Sequence, residues 1–230
     1  MGRMNKVSWN ENPEAWSKDN NDFIPIASLN CAGLRVHYED IKADDKLQKA
    51  DVIHLVETSL KKDDDIEEFI LEGYTKTFIN IDNGKGIATY YDDTKISLIH
   101  EVKRDKFQII KLKNNDLDII NIYRSQTGNS VELLEDLRDL IEPNRRTIIT
   151  GDFNICFMEN FSNRLIQGLL VMGFTQLVHE PTHIRGRYID QVFYMDQYDR
   201  FEPVIDRYSP YYSDHDAILI TLHQSGHKPD

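Results

Sequence analysis

The chain has 230 residues and a formal net charge of −12, with 40% hydrophobic and 10% aromatic side chains. That length and apolar content suit one sizeable domain and exclude disorder along the whole chain. The acidity argues against holding nucleic acid by bulk electrostatics, so a polyanionic substrate would need a metal and a local basic groove.

Residues 1–22 are polar and carry both tryptophans, Trp9 and Trp16. They read as a linker or surface strap, or equally as an unstructured end. From Phe23 the pattern is dominated by strands, expected at 23–29, 51–56, 74–79, 86–91, 96–102, 107–112 and 117–123. A charged helix is expected over 37–50, from the spacing of Ile41 and Leu47. A second spans 131–141, where Leu133, Leu134, Leu137, Leu140 and Ile141 share one face and Pro143 ends it. Then come a strand at 147–150, a helix at 164–171 and strands at 174–178, 188–194, 201–205 and 217–222. Many strands with few helices imply two packed sheets with helices on their outer faces. No Pro/Gly/Ser-rich break divides residues 23–223, read as one α/β domain, and 224–230 is a short tail.

No apolar run approaches the roughly 18 residues of a membrane span, and the first residues hold no apolar signal region. The expectation is an intracellular protein, cytoplasmic or nuclear, with no membrane partner. Cys31 and Cys156 match neither a zinc spacing nor a disulfide framework. They read as buried free thiols, with a single disulfide between them as the alternative.

Polar and acidic residues recur at strand ends. The apolar run Thr147-Ile148-Ile149 leads into Thr150-Gly151-Asp152-Phe153-Asn154, delivering a carboxylate and a carboxamide together. Asn30 closes the first strand, Glu57 the second, and Tyr123-Arg124-Ser125 a long central one. Asp190 and the run Ser213-Asp214-His215 lie near the last strands. Each has a plain structural explanation as a turn, a cap or a cross-strand pair. Taken in this order, they resemble the endonuclease/exonuclease/phosphatase (DNase I-like) superfamily over residues 23–222.

The resemblance implies a four-layer α/β sandwich of two packed mixed β-sheets flanked by helices, and phosphodiester hydrolysis with Mg²⁺, for which Mn²⁺ may substitute. It implies Glu57 as the principal metal ligand, with Asn30 and Asp214 near the metal. Asp152 would orient or deprotonate the attacking water, and Asn154 would hold water and phosphate. His215 would bind the phosphate as imidazolium, oriented by Asp190. Tyr123 would donate to a phosphate oxygen, and Asn30 would support the network. Mg²⁺ prefers carboxylate oxygens and keeps several waters, so one or two acidic ligands suffice.

The runs Asn30-Cys31-Ala32-Gly33-Leu34-Arg35, Gly84-Lys85-Gly86-Ile87-Ala88 and Pro181-Thr182-His183-Ile184 resemble nuclease domains of mobile elements. Those of Helitron-type transposon helicases come first, then those of non-LTR retrotransposons. The run Glu57-Thr58-Ser59-Leu60 departs from the frequent Glu-Thr-Trp-Leu, and Val56 stands where Gln is common. The resemblance implies a monomeric DNA endonuclease leaving 3′-hydroxyl and 5′-phosphate ends, fused to or acting with a helicase. Substrate contacts are expected from Arg35, Lys85, Arg124, Ser125, Thr182, Arg185 and Arg187. Two alternatives stand beside it. One is a phosphatase or phosphodiesterase acting on a phosphoinositide, an RNA or a protein–DNA adduct. The other is a non-catalytic binding module, against which every motif position is filled.

Overall fold

A computed structural model describes residues 24–225; the expected strap at 1–22, Phe23 and the last five residues of the tail lie outside the described residues. Two six-stranded mixed sheets pack face to face. The first sheet contains β1 (Ile26–Asn30), β2 (Val52–Val56), β3 (Thr75–Ile79), β4 (Ile87–Tyr91), β11 (Phe201–Tyr208) and β12 (Ala217–Gln224), in the order β11-β12-β1-β2-β4-β3. The second contains β5 (Ser97–Lys103), β6 (Phe107–Lys113), β7 (Leu117–Arg124), β8 (Arg146–Asp152), β9 (Thr175–Gln176) and β10 (Asp190–Met195), in the order β5-β6-β7-β8-β10-β9.

Side chains alternate across each strand, so the central strands feed two cores at once. Ile26, Val52, Val56, Ile119, Ile148, Val192 and Ile220 fill the space between the sheets. Ala27, Leu29, Ile53 and Leu55 face the other way and pack under α1 (Leu34–Lys42). Ile120, Ile122, Ile149 and Phe193 pack under α2 (Ser130–Leu140) and α3 (Arg164–Val171). This is the expected sandwich, and burial on both faces explains why its central strands read as continuous apolar runs.

Local chemistry sets the element ends. Asn129 caps α2 by accepting from Val131 N at 3.0 Å and Glu132 N at 3.3 Å, a contact worth about 1 kcal/mol. The helix expected over 37–50 stops at Lys42, and only a single 3₁₀ turn, Leu47–Lys49, follows. The cause is Asp44, whose side chain accepts from the Lys46 and Leu47 amides and competes with helical bonding. The strand expected at 174–178 shrinks to two residues, Thr175 and Gln176, which alone pair in register with β10, although the Leu177 amide still donates to the Val192 carbonyl at 2.9 Å.

Each sheet contains one parallel pair flanked by antiparallel neighbours: β1–β2 in the first and β7–β8 in the second. A parallel pair brings two C-terminal ends to the same edge. Antiparallel β10 begins where β8 ends, with Asp190 opposite Asp152. β12 likewise runs antiparallel to β1, so the segment before Ala217 lies beside Asn30. Topology alone therefore collects six separate chain segments at one edge of the sandwich.

Candidate active site

Asp152 ends β8 and is almost fully buried. Gly151 before it has φ 138°, and a Cβ there would lie 1.8 Å from the Ile122 carbonyl oxygen. Only glycine lets β8 approach β7 this closely. The Asp152 carboxylate accepts from Asn30 Nδ2 at 3.0 Å and from the Asn154 amide at 2.8 Å. Asn154 has φ 49°, and its Nδ2 donates to the Arg124 carbonyl at 2.9 Å, fastening the turn to the end of β7. Burial and the neighbouring Asp190 charge raise the Asp152 pKa, with His215 opposing.

His215 and Asp190 form the second unit. His215 Nδ1 lies 2.7 Å from Asp190 Oδ2, which also accepts from Thr182 Oγ1 at 2.6 Å. Burial disfavours charge on the imidazole, but the bond and charge of Asp190, with Asp152 and Asp214 nearby, raise its pKa to about 9. Ser213 Oγ donates to the Asn30 carbonyl at 2.7 Å and accepts from the His215 amide at 3.0 Å, pinning this loop to β1.

Glu57 follows β2 at φ 54° and forms the third unit. Its Oε1 accepts from Tyr123 OH at 3.2 Å, and its Oε2 pairs with Lys85 Nζ. Burial, then the Glu57 charge, raises the Tyr123 pKa and keeps the phenol a donor.

Ligand atoms of Asp152, Asp190 and His215 lie within 4.8 Å of one another, as do those of His183, Asp214 and His215. Glu57 belongs to neither group, yet it already receives a cation in the Lys85 ammonium. An oxygen-rich corner of Glu57 and Asn30 beside Asp152 suits a hard cation with waters on its remaining positions.

His183 is the residue that the sequence reading missed. It is buried, its Nε2 lies 3.2 Å from Asp214 Oδ2, and its ring meets His215 edge-on at 4.7 Å. Burial, then the His215 charge, lowers its pKa. Residues 182–184 bridge residues 214–216 through Ile184 N to the Asp214 carbonyl at 2.9 Å and Asp216 N to the Thr182 carbonyl at 2.7 Å. The signal was present in the Thr182-His183 pair, of which only the threonine was singled out.

Several expected substrate contacts need correction. Arg124 is 6% exposed and donates to the Phe153 and Gly128 carbonyls at 3.1 and 2.6 Å, so its guanidinium ties backbone. Thr182 is buried on Asp190 and orients that carboxylate. Arg35 pairs with Glu68 and Asp64 over the Phe69 ring. The Ser125 amide donates to the Lys106 carbonyl at 2.8 Å, while its buried hydroxyl has no hydrogen-bond partner. Arg185 is exposed, and half-buried Arg187 reaches His183 at 3.4 Å, so this loop keeps the basic character expected of it. Lys85 lies on the site but on Glu57. Asp214 is 53% exposed at the mouth. Both cysteines are free; Cys31 is buried, whereas Cys156 is only half-buried. Among the described residues, no helix is long and apolar enough to cross a membrane.

Residues 27–215 match the model of the endonuclease/exonuclease/phosphatase family. The chain belongs to that family, whose members are nucleases and phosphatases. An AP endonuclease from Archaeoglobus fulgidus superposes with a TM-score of 0.66 at 16% identity, over 86% of this chain and 98% of that one. The endonuclease domain of TRAS1, a telomere-specific non-LTR retrotransposon, gives 0.65 at 14% identity, over 88% and 99%. The human Nocturnin catalytic domain, with bound sulfate, gives 0.64 at 15% identity, over 88% and 95%. These likenesses show the fold. A comparison with curated proteins gives no significant match.

Proposed function

We propose that the chain is a Mg²⁺-dependent phosphodiester hydrolase, a DNA endonuclease of mobile-element origin that leaves 3′-hydroxyl and 5′-phosphate ends. The observation that carries this reading is the meeting of three units at one edge: Asn30–Asp152, Asp190–His215 and Tyr123–Glu57. Glu57, with Asn30 beside it and Asp214 at the mouth, would hold the cation, which supplies charge neutralisation at a phosphate oxygen.

The chain's own groups do the rest. Asp152 is held by two donors and has a raised proton affinity, which suits a base that takes a proton from water. His215 is a cation at neutral pH with Nδ1 committed to Asp190, which leaves its Nε2–H to donate to a phosphate oxygen. Tyr123 stays protonated and supplies a further donor to the developing charge. Thr182 keeps Asp190 in register, and Arg185 and Arg187 offer backbone-directed cations that position a strand without reading its sequence. The mobile-element assignment rests on the motif runs around Asn30, Lys85 and Thr182, and with it the expected helicase partner.

A second reading has its own support. Arg124 is buried and Arg35 is engaged by acids, which leaves few cations to grip a long duplex on a chain of charge −12. That favours a short phosphoester or a nucleic-acid end. A panel of supercoiled plasmid, single-stranded DNA, RNA and inositol phosphates with Mg²⁺ or Mn²⁺ tests both. Nicking that is lost in Glu57→Ala, Asp152→Ala and His215→Ala is the expected result. Phosphate release without nicking selects the second reading, and retained cleavage in any of the three variants removes the residue assignment.

A further inference from the structure

The space beneath the site does not become apolar at once. One step down from Asn30, Glu57, Tyr123 and Asp152, strand alternation turns Ser28, His54, Thr89, Asn121 and Thr150 into the gap between the sheets, all of them buried. One step further down stand Ile26, Val52, Tyr91, Ile119 and Ile148.

The polar layer is bonded across the gap. Thr89 Oγ1 lies 3.0 Å from His54 Nδ1, and Asn121 Nδ2 donates to the same oxygen at 3.1 Å. The Thr89 hydroxyl accepts from Asn121 and has both a proton and a second lone pair with which to meet His54 Nδ1, so the bond forms in either imidazole tautomer. This chain joins β2 and β4 of the first sheet to β7 of the second. Asn121 precedes Tyr123 on the same face, and Thr150, its register partner on β8, precedes Asp152 in the same way. His54 shares a face of β2 with Val56, the residue before Glu57.

The site has its own cross-sheet bonds, Tyr123 to Glu57 and Asn30 to Asp152, but they are made by groups that exchange partners during a reaction. The His54–Thr89–Asn121 chain involves no reacting group and persists when those bonds are given up. It also leaves His54 Nε2, Asn121 Oδ1 and Thr150 Oγ1 without a hydrogen-bond partner. Such a layer costs stability compared with an apolar one, so stability alone does not account for it.

We propose that His54, Thr89 and Asn121 are positioning residues, holding the sheets at the separation that sets Tyr123 and Asp152 against Glu57 and Asn30. The kinetic side of this proposal rests on the hydrolase reading; the structural side does not. The triple variant His54→Leu/Thr89→Val/Asn121→Leu removes the whole chain of bonds at once and strands none of its members. Crystal structures of wild type and variant give the Tyr123 Oη to Glu57 Oε1 separation, 3.2 Å here, and steady-state kinetics give kcat and KM.

The expected variant melts no earlier than wild type, opens that contact beyond hydrogen-bond reach, and loses about tenfold or more in kcat with KM within about twofold. Thr89→Ser, which keeps the hydroxyl, retains both the contact and the rate. A folded triple variant with the contact at wild-type length, or with wild-type kcat, overturns the proposal. Should the triple variant fail to fold, Thr89→Val against Thr89→Ser decides by the same two measurements. Should wild type cleave no phosphoester, the hydrolase reading falls and the two crystal structures alone decide on positioning.

Discussion

Two buried carboxylate clusters lie at opposite ends of β7, and they are balanced in opposite ways. Near its start, fully buried Asp118 pairs with Lys111 at 2.8 Å and with Arg145 at 2.8 Å, while Glu142 shares Lys111 at 3.0 Å. Lys113 and Arg145 also reach Glu142, so two acids meet three permanent cations and no negative charge is left over. At the other end, Glu57, Asp152, Asp190 and Asp214 pair with one permanent cation, Lys85, and two titratable groups, His183 and His215. Burial, then the Asp190 charge, raises Asp152 above the usual carboxylate range, and the Asp190 bond and charge outweigh burial to raise His215 to about 9. Burying a carboxylate therefore does not mark a site; burying it without enough cations does.

Mutating each end puts this contrast at risk. Asp152→Asn should cost about 10³-fold in hydrolysis while leaving thermal stability unchanged or improved, as expected where function maintains an unfavourable charge. Nicking assays beside thermal unfolding check it, and a large loss of stability would erase the distinction between the two ends. Asp118→Asn should do the reverse, costing about 3 kcal/mol of stability with kcat unchanged, because it leaves buried cations uncompensated. Arg124→Met should cost about 2 kcal/mol through two lost buried backbone contacts. A rise in KM at unchanged stability would instead restore its substrate role.

A further effect concerns pH. Burial lowers the His54 pKa from 6.5 to about 3, so the folded state excludes a proton that the unfolded chain binds. Its contribution to stability is complete above pH 6.5 and falls with acid by about 1.4 kcal/mol per pH unit down to about 3. His54→Leu should flatten that acid limb in denaturant titrations at pH 4 to 7; an unchanged limb would show that other groups control it.

The fold was largely legible because its central strands are buried on both faces and read as unbroken apolar runs between turn residues. The helix over 37–50 misled because its spacing was helical while Asp44 bonded locally. Residue types at the site were legible from strand ends, but their directions were not fully used. Tyr123 faces the gap between the sheets, so its neighbour Arg124 must face away, and alternation alone could have withdrawn it from the substrate contacts. The role of Thr182 depends on a loop that bridges to residues far along the chain, which spacing does not reveal. His183 stood in the same run, but its contacts with Asp214 and His215 depend on the same bridge.

The pairing of β12 with β1 has a consequence for how the protein comes into being. The first described strand waits for the last one, and His215 reaches Asp190 only when residues 217–224 have closed the first sheet. Contacts this distant in sequence form slowly and late. A chain still emerging from the ribosome therefore holds Glu57 and Asp152 before it holds the His215–Asp190 pair, which waits until residues 217–224 have joined the first sheet.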